Sequence, residues 1–376
     1  MFILTQLQIE KYLRDGVLVV DDIMCAEELK VARDGLHETL LHHGVDTNDL
    51  ENTAHHLQKL SSTNGSGGVL DLFYPSFKID IGSNEKLFRA TQQLWKASHA
   101  HNGESEHELI LMGKQERYHP FGKFDADKGY MYIDRLGYRI PTKIAQSVGE
   151  KMNPSPEGEQ SKTKKSRAAI QRSLTPHLDC CPDTYNSASK KSKWRPIQCF
   201  VSLTDNVEPN TGGFEAATGF HREFHQWATN RPPSTITHRD PKSGAKSKIE
   251  VTAPCVGEYT HIRPKEDEHV MKSIFHVPVL SGSAVFWDNR IPHANAYRNE
   301  SVLPRAVVYC SFLPDVDINR IYVEKQLEDY RLHRKPRDTW INIVDHGSEV
   351  ESSQHQMRET HEFSELGRKL MGMQEW

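Results

Sequence analysis

The 376-residue chain has no run of 18 apolar residues, so no segment is expected to cross a bilayer as a helix. Its opening stretch, MFILTQLQIEKYL, lacks the basic flank and long apolar stretch of a secretory leader, and none is expected. Cysteine is scarce. Cys25, Cys180, Cys181, Cys199, Cys255 and Cys310 show no C-x-x-C pair and no regular spacing. That argues against a zinc ribbon and against a disulfide framework, and the expected setting is reducing and cytoplasmic. Strong charge of one sign is also missing. The 47 Lys and Arg against 51 Asp and Glu leave a net charge of −4, which excludes a surface basic all over and makes nucleic acid an unexpected partner. No internal repeat is visible, which excludes a solenoid or propeller. The closing MQEW is no peroxisomal address.

What is present is a β-rich middle between helical ends. LTQLQIEKYLRDG has Thr5 and Gln8 in capping-box spacing and stops at Gly16, which predicts a helix. VLVVDD predicts a short strand. CAEELKVARDGLHETLLHHG predicts an amphipathic helix with Leu29, Ala32, Leu36 and Leu40 on one stripe. Residues 45–68 read as a polar loop, 87–100 as a helix, and KGYMYIDRLGYRI as strand material. In PIQCFVSLTD, residues Ile197, Cys199, Val201 and Leu203 alternate with Gln198, Phe200, Ser202 and Thr204, the mark of a strand. IFHVPVL, GSAVFWD and RAVVYCSFLP read as further strands. Residues 150–167, rich in Pro, Ser and Lys, read as a mobile insertion, and 229–268 as a long polar excursion. The expected architecture is a single domain over 1–376. A helical and strand buttress (1–110) and a C-terminal helical extension (315–376) flank a double-stranded β-helix, or jelly roll, at 128–314. Its insertions are 150–167 and 229–268.

The chemistry-bearing motif is TPHLDCCPDTY. Residues i and i+2 of a strand point the same way, so His177 and Asp179 can grip one ion from a strand end. Two ligands are too few. The best third is His293, which follows the β run GSAVFWD and a short turn. Two histidines and a carboxylate on one face leave the other positions of an ion open, the arrangement of non-haem Fe(II) oxygenases. Twelve residues on, Arg305 opens the next strand. A fixed guanidinium there suits the far carboxylate of a dicarboxylate co-substrate whose 2-oxo acid end chelates the metal. Arg298 lies nearer His293 in sequence but sits in the polar turn YRNES, which makes it the weaker anchor.

Carried by these segments in order, the chain resembles the phytanoyl-CoA dioxygenase family of Fe(II)/2-oxoglutarate oxygenases. The opening helix–strand–helix, PHLD, CFVSLTDNVEPNTGGFEAATGFH and VLSGSAVFWDNRIPHANAYRNESVLPRAVVYCSF each have a counterpart in its pattern. The resemblance implies Fe(II) held by His177, Asp179 and His293, with 2-oxoglutarate anchored at Arg305. It implies Asn295 as a second co-substrate contact, O2 as oxidant, and hydroxylation of a small organic substrate, anionic if a basic collar surrounds the mouth. An intact Asp179 favours hydroxylation over halogenation. Gly282-Ser283 stands where the family usually has Gly-Asp, and the middle of the chain is expanded.

Plainer readings compete. A lone His-x-Asp is most often a surface pair or a satisfied core group. His221 and His225 in HREFH have zinc-helix spacing but lack the glutamate beside the first histidine that a metalloprotease needs. His42, His43, His55 and His56 read as surface residues. Cys180 and Cys181 read as structural or as pocket lining. The basic runs Lys162–Arg167 and Lys190–Arg195 bracket the motif and read as solvated loops, or as that collar. Two other functions stay open: a non-catalytic jelly-roll binding or scaffold protein, and an oxygenase acting on a nucleic acid or protein.

Overall fold

The first helix is determined by its first turn. Thr5 Oγ1 accepts from the Gln8 N–H while the Gln8 side chain accepts from the Thr5 N–H, closing a capping box. The helix Gln6–Asp15 ends at Gly16, where φ is +66° and an added Cβ would lie 2.5 Å from His221 Nδ1. Backbone conformation and space both demand glycine there. In the computed structural model the described residues are 2–62, 64–153, 169–185, 193–231, 234–239, 245–251, 255–256, 258–336 and 361–376.

Among the described residues fourteen strands follow in chain order. They are β1 (Val17–Val20), β2 (Val69–Leu70), β3 (Gly129–Arg139), β4 (Leu174–Leu178), β5 (Ile197–Ser202), β6 (Phe214–Ala216) and β7 (Ser234–Arg239). The others are β8 (Lys246–Val251), β9 (Cys255–Val256), β10 (Tyr259–His261), β11 (Phe275–His276), β12 (Ala284–Asp288), β13 (His293–Asn295) and β14 (Arg305–Pro314). One sheet has the order β1-β12-β5-β14-β3-β2 and the other β11-β6-β13-β4-β10-β9, while β7 and β8 form a separate ribbon. All named pairs are antiparallel. From β3 to β6 and again from β12 to β14 the chain passes from one sheet to the other at each step. That weaving makes the fold a double-stranded β-helix, as the strand pattern predicts.

Period-two alternation sorts the larger sheet's side chains into two cores. Phe200, Val285, Trp287 and Val307 face the second sheet and meet Leu178, Phe214 and Ala216 inside the barrel. Cys199, Val201, Ala284, Phe286, Ala306 and Val308 face outward and are covered by the helices, with Leu36, Leu40, Phe77, Phe88 and Trp95 among the partners. β5 is buried along its whole length, as a central strand covered on both faces must be. The C-terminal segment buttresses the same sheet: Gln326 on the helix Asp317–Arg331 bonds the backbone of Ile133 and Met131, and Trp376 Nε1 donates to Gly129 O.

Four expectations change. Residues 45–68 are not a plain loop but carry short helical turns at Leu50–Thr53 and Leu57–Leu60, too brief to leave a period in the sequence. The excursion 229–268 contains β7 to β10, and β10 joins the second sheet beside β4. Lys193 and Arg195 are not solvated. Lys193 is 1% exposed and lies over the Tyr132 and Tyr322 rings, and Arg195 pairs with Asp134 at 3.0 Å. The chain is not all thiol, because Cys181 is disulfide-bonded to Cys255. The insertion at 150–167 lies outside the described residues from 154 onward, and the helix Thr142–Met152 occupies its start. Among the described residues no helix is long and apolar enough to cross a membrane.

The sheet ends on a buried charge pair. Asp288 accepts two bonds of 2.7 Å from Arg290, and His99 Nε2 lies 3.7 Å from Asp288. Burial pushes the His99 imidazole down to about 3, outweighing the nearby carboxylate, and pushes His225 down to about 4. An unfolded chain takes up these protons near pH 6.5, while the folded chain resists them. Their contribution is therefore complete above pH 6.5 and is lost as pH falls toward 3, with a slope near 1.4 kcal/mol per pH unit for each group. His99→Gln should flatten the fall in stability between pH 6.5 and 4 by about one proton's worth, as read from urea unfolding across that range. An unchanged slope would show that His99 does not carry it.

Candidate metal centre

His177 stands on β4, Asp179 just past its end, and His293 at the start of β13. These two strands are antiparallel neighbours, and His293 sits directly opposite His177. The imidazole centroids are 4.4 Å apart. Asp179 closes the triangle, with Oδ1 3.7 Å from His177 Nε2 and Oδ2 3.6 Å from His293 Nε2. Three ligands at right angles and metal-bond length would stand about 3 Å apart. One ligand atom from each of the three side chains lies within 4.8 Å of the other two. Among the described residues this is the only cluster of three or more His, Cys, Asp or Glu side chains within such reach.

The tautomer is fixed by backbone. His177 Nδ1 donates to Thr175 O at 2.8 Å and His293 Nδ1 to Ile291 O at 2.9 Å. A carbonyl only accepts, so each Nδ1 carries the hydrogen and each Nε2 keeps the lone pair a metal needs. Burial, with His293 adding to it, pushes His177 down to about 4; burial also lowers His293 against the pull of Asp179. Burial alone would push the Asp179 carboxyl up. His177, His293, Arg195 and a 2.8 Å hydrogen bond from Gln198 Nε2 outweigh it and hold the carboxyl at about 2. The set is thus two neutral imidazoles and one carboxylate at neutral pH, the protonation state that takes a divalent cation without first losing a proton.

Inside the same barrel, on the opposite sheet, lies Arg305, the first residue of β14. It is 3% exposed, its Nη1 donates to Asn295 Oδ1 at 3.1 Å, and its guanidinium lies over the Phe200 ring at 5.2 Å. Its Nη2 is buried without a hydrogen-bond partner among the described residues. Asn295 also reaches Gly67 O and Tyr309 Oη, so it holds Arg305 in place from the strand that bears His293. Arg298, the rival anchor, is exposed and pairs with Glu300. Cys180 is buried in the barrel-interior cluster. His221 Nε2 donates to Leu13 O at 3.2 Å, and among the described residues neither His221 nor His225 joins a ligand cluster.

A Gig2-like family model matches residues 172–373, more than half of the chain and all three candidate ligands. The chain belongs to the Gig2-like family. The motif order that resembles the phytanoyl-CoA dioxygenases is a likeness beside that membership. No curated protein matches the chain. Among solved structures it is similar to GlcNAc Inducible Gene 2, GIG2 (DUF1479), from Candida albicans, with TM-score 0.65 and 14% identity over 99% of this chain and 77% of that one. It is also similar to the hypothetical protein JW0805 from Escherichia coli, with TM-score 0.59 and 15% identity over 98% of this chain and 82% of that one. At such identity these likenesses establish the fold.

In this Gig2-like chain the sequence reading missed four neighbours of the site. Tyr259, from the excursion, stacks on His177 with centroids 4.5 Å apart, and nothing in its surroundings in sequence signals this. Gln198 and Tyr309 could have been found by parity, since they share strand faces with Phe200 and Arg305. Arg195 had been assigned to a solvated run. His177→Ala and His293→Ala should each abolish stoichiometric Fe(II) binding in anaerobic titration while the urea midpoint stays near that of the parent. Gln198→Ala should weaken binding by about tenfold, because it only orients a ligand. Parental binding in both histidine variants would remove the site.

Proposed function

We propose that the chain is an Fe(II)- and 2-oxoglutarate-dependent dioxygenase that hydroxylates an unactivated C–H bond of a small organic substrate. One conjunction carries this reading: a neutral-His, neutral-His, carboxylate triangle and a buried arginine with an unpartnered N–H share one barrel interior. The donor set fits iron, with two imidazole nitrogens and one carboxylate oxygen on a single face. The orphaned Arg305 Nη2 fits a carboxylate. When bound, iron and 2-oxoglutarate supply the activation of O2, with succinate and CO2 as co-products.

This chain's own residues do the positioning. His177, Asp179 and His293 would hold the ion. Gln198 fixes the carboxylate plane, and the Thr175 and Ile291 carbonyls fix the rings. Arg305, set by Asn295, holds the far end of the co-substrate and so determines which way its 2-oxo acid end points. Phe214 and Trp287 flank His293 at centroid distances of 5.7 and 5.3 Å and keep water from its ring on that side. A scaffold that had abandoned catalysis would have no need of a complete triad with its tautomers fixed.

Arg305→Lys should weaken 2-oxoglutarate binding by about tenfold and Arg305→Ala by about a hundredfold, since lysine keeps the charge but loses the fork. Fe(II) binding should change little in either. Arg298→Ala should bind as the parent does. Succinate release with a panel of small substrates then tests the reaction itself, and loss of 2-oxoglutarate binding in neither Arg305 variant would remove the co-substrate from the reading.

A further inference from the structure

Four arginines are buried among the described residues: Arg139, Arg231, Arg290 and Arg305. Two of them have a carboxylate. Arg290 is paired with Asp288 at 2.7 Å and Arg231 with Asp267 at 3.2 Å. The other two face each other instead. Arg139 is the last residue of β3, Arg305 the first of β14, and the register sets them directly opposite. Like charges in that relation repel. They are 2% and 3% exposed, so water does little to screen them.

Their hydrogen-bond partners are all neutral. Arg139 donates to the carbonyls of Arg172 and Tyr297, and Arg305 to the Asn295 side chain. Among the described residues no acid pairs with either. Each retains one buried nitrogen without a partner, Nε of Arg139 and Nη2 of Arg305. Burial lowers Arg139 to about 10, and the charge of Arg305 adds to the effect, so the two groups sense each other. Two buried positive charges with two unused donors and no counter-charge describe an anion site.

The position of the pair relative to the metal triangle follows from β13. His293 is a candidate ligand; Asn295, two residues on, holds Arg305; the Tyr297 carbonyl, two further on, accepts from Arg139. Moving away from the metal, the chain therefore presents Arg305 first and Arg139 behind it. We propose that Arg139 and Arg305 together seat the single carboxylate of the co-substrate that lies remote from the metal, which makes Arg139 a specificity-determining residue for a 2-oxo diacid over a 2-oxo monoacid. This rests on the function proposed above and adds a second guanidinium to it.

The test compares two ligands on anaerobic, Mn(II)-loaded protein by calorimetry: 2-oxoglutarate, and 2-oxopentanoate, which keeps the chelating end but lacks the far carboxylate. The parent should prefer 2-oxoglutarate by about a hundredfold or more. Arg139→Gln should lose at least tenfold for 2-oxoglutarate and almost nothing for 2-oxopentanoate, and Arg139→Lys should recover part of the preference. A merely structural role would weaken both ligands equally. Equal weakening, or an unchanged preference, in the Arg139 variants while Arg305→Gln loses it would overturn the role of Arg139 and leave the proposed function standing. A parent that binds neither ligand would overturn both. Should Arg139→Gln fail to fold, the ratio of the two affinities in Arg139→Lys decides the matter by the same criterion.

Discussion

The antiparallel pairing of β4 with β13 is the constraint on which the site depends. It sets His293 opposite His177, and the short step past the end of β4 swings Asp179 back toward both rings. Register in a sheet is all or nothing: a slip of one residue would turn every side chain of the strand to the other face. What pins it is packing, with Leu178, Phe214, Ala216 and Trp287 filling the barrel interior around the triangle. The Nε2 atoms of the two candidate ligands are thus positioned by hydrophobic contacts and backbone carbonyls.

The second constraint is charge. Two of the buried arginines are neutralised by an acid, at Asp288–Arg290 and Arg231–Asp267. Of the four buried arginines among the described residues, the two left without an acid are those that β3 and β14 bring together, Arg139 and Arg305. Leaving charges so is destabilising, and stability alone gives no reason for it. Two buried like charges with no acid beside them are the physical condition that an anion would relieve.

Much of this was legible beforehand. Strand alternation around Cys199 and Phe200 gave the two faces of the central sheet, the capping box at Thr5 gave the first helix, and the order His177, Asp179, His293, Arg305 gave the candidate site. What stayed hidden was long-range. Arg139 lies 166 positions before Arg305 in number, and only the register of β3 on β14 reveals that they are neighbours. Tyr259 reaches His177 from a short segment inside a long polar excursion, because β10 pairs through its backbone with β4. Lys193 and Arg195 read as solvated because lysine and arginine usually are. Aromatic rings and Asp134 receive them here, and composition cannot foresee such partners.

The Cys181–Cys255 disulfide spans 74 positions and starts two residues after Asp179. It closes a covalent ring that contains β5, β6 and the β7–β8 ribbon, while His177, Asp179, His293 and Arg305 all lie outside it. Scission of any one peptide bond within the ring would open a loop without parting the molecule. The two pieces would travel together until a thiol reagent released them, and the strands bearing the candidate ligands would remain joined through sulfur across the cut.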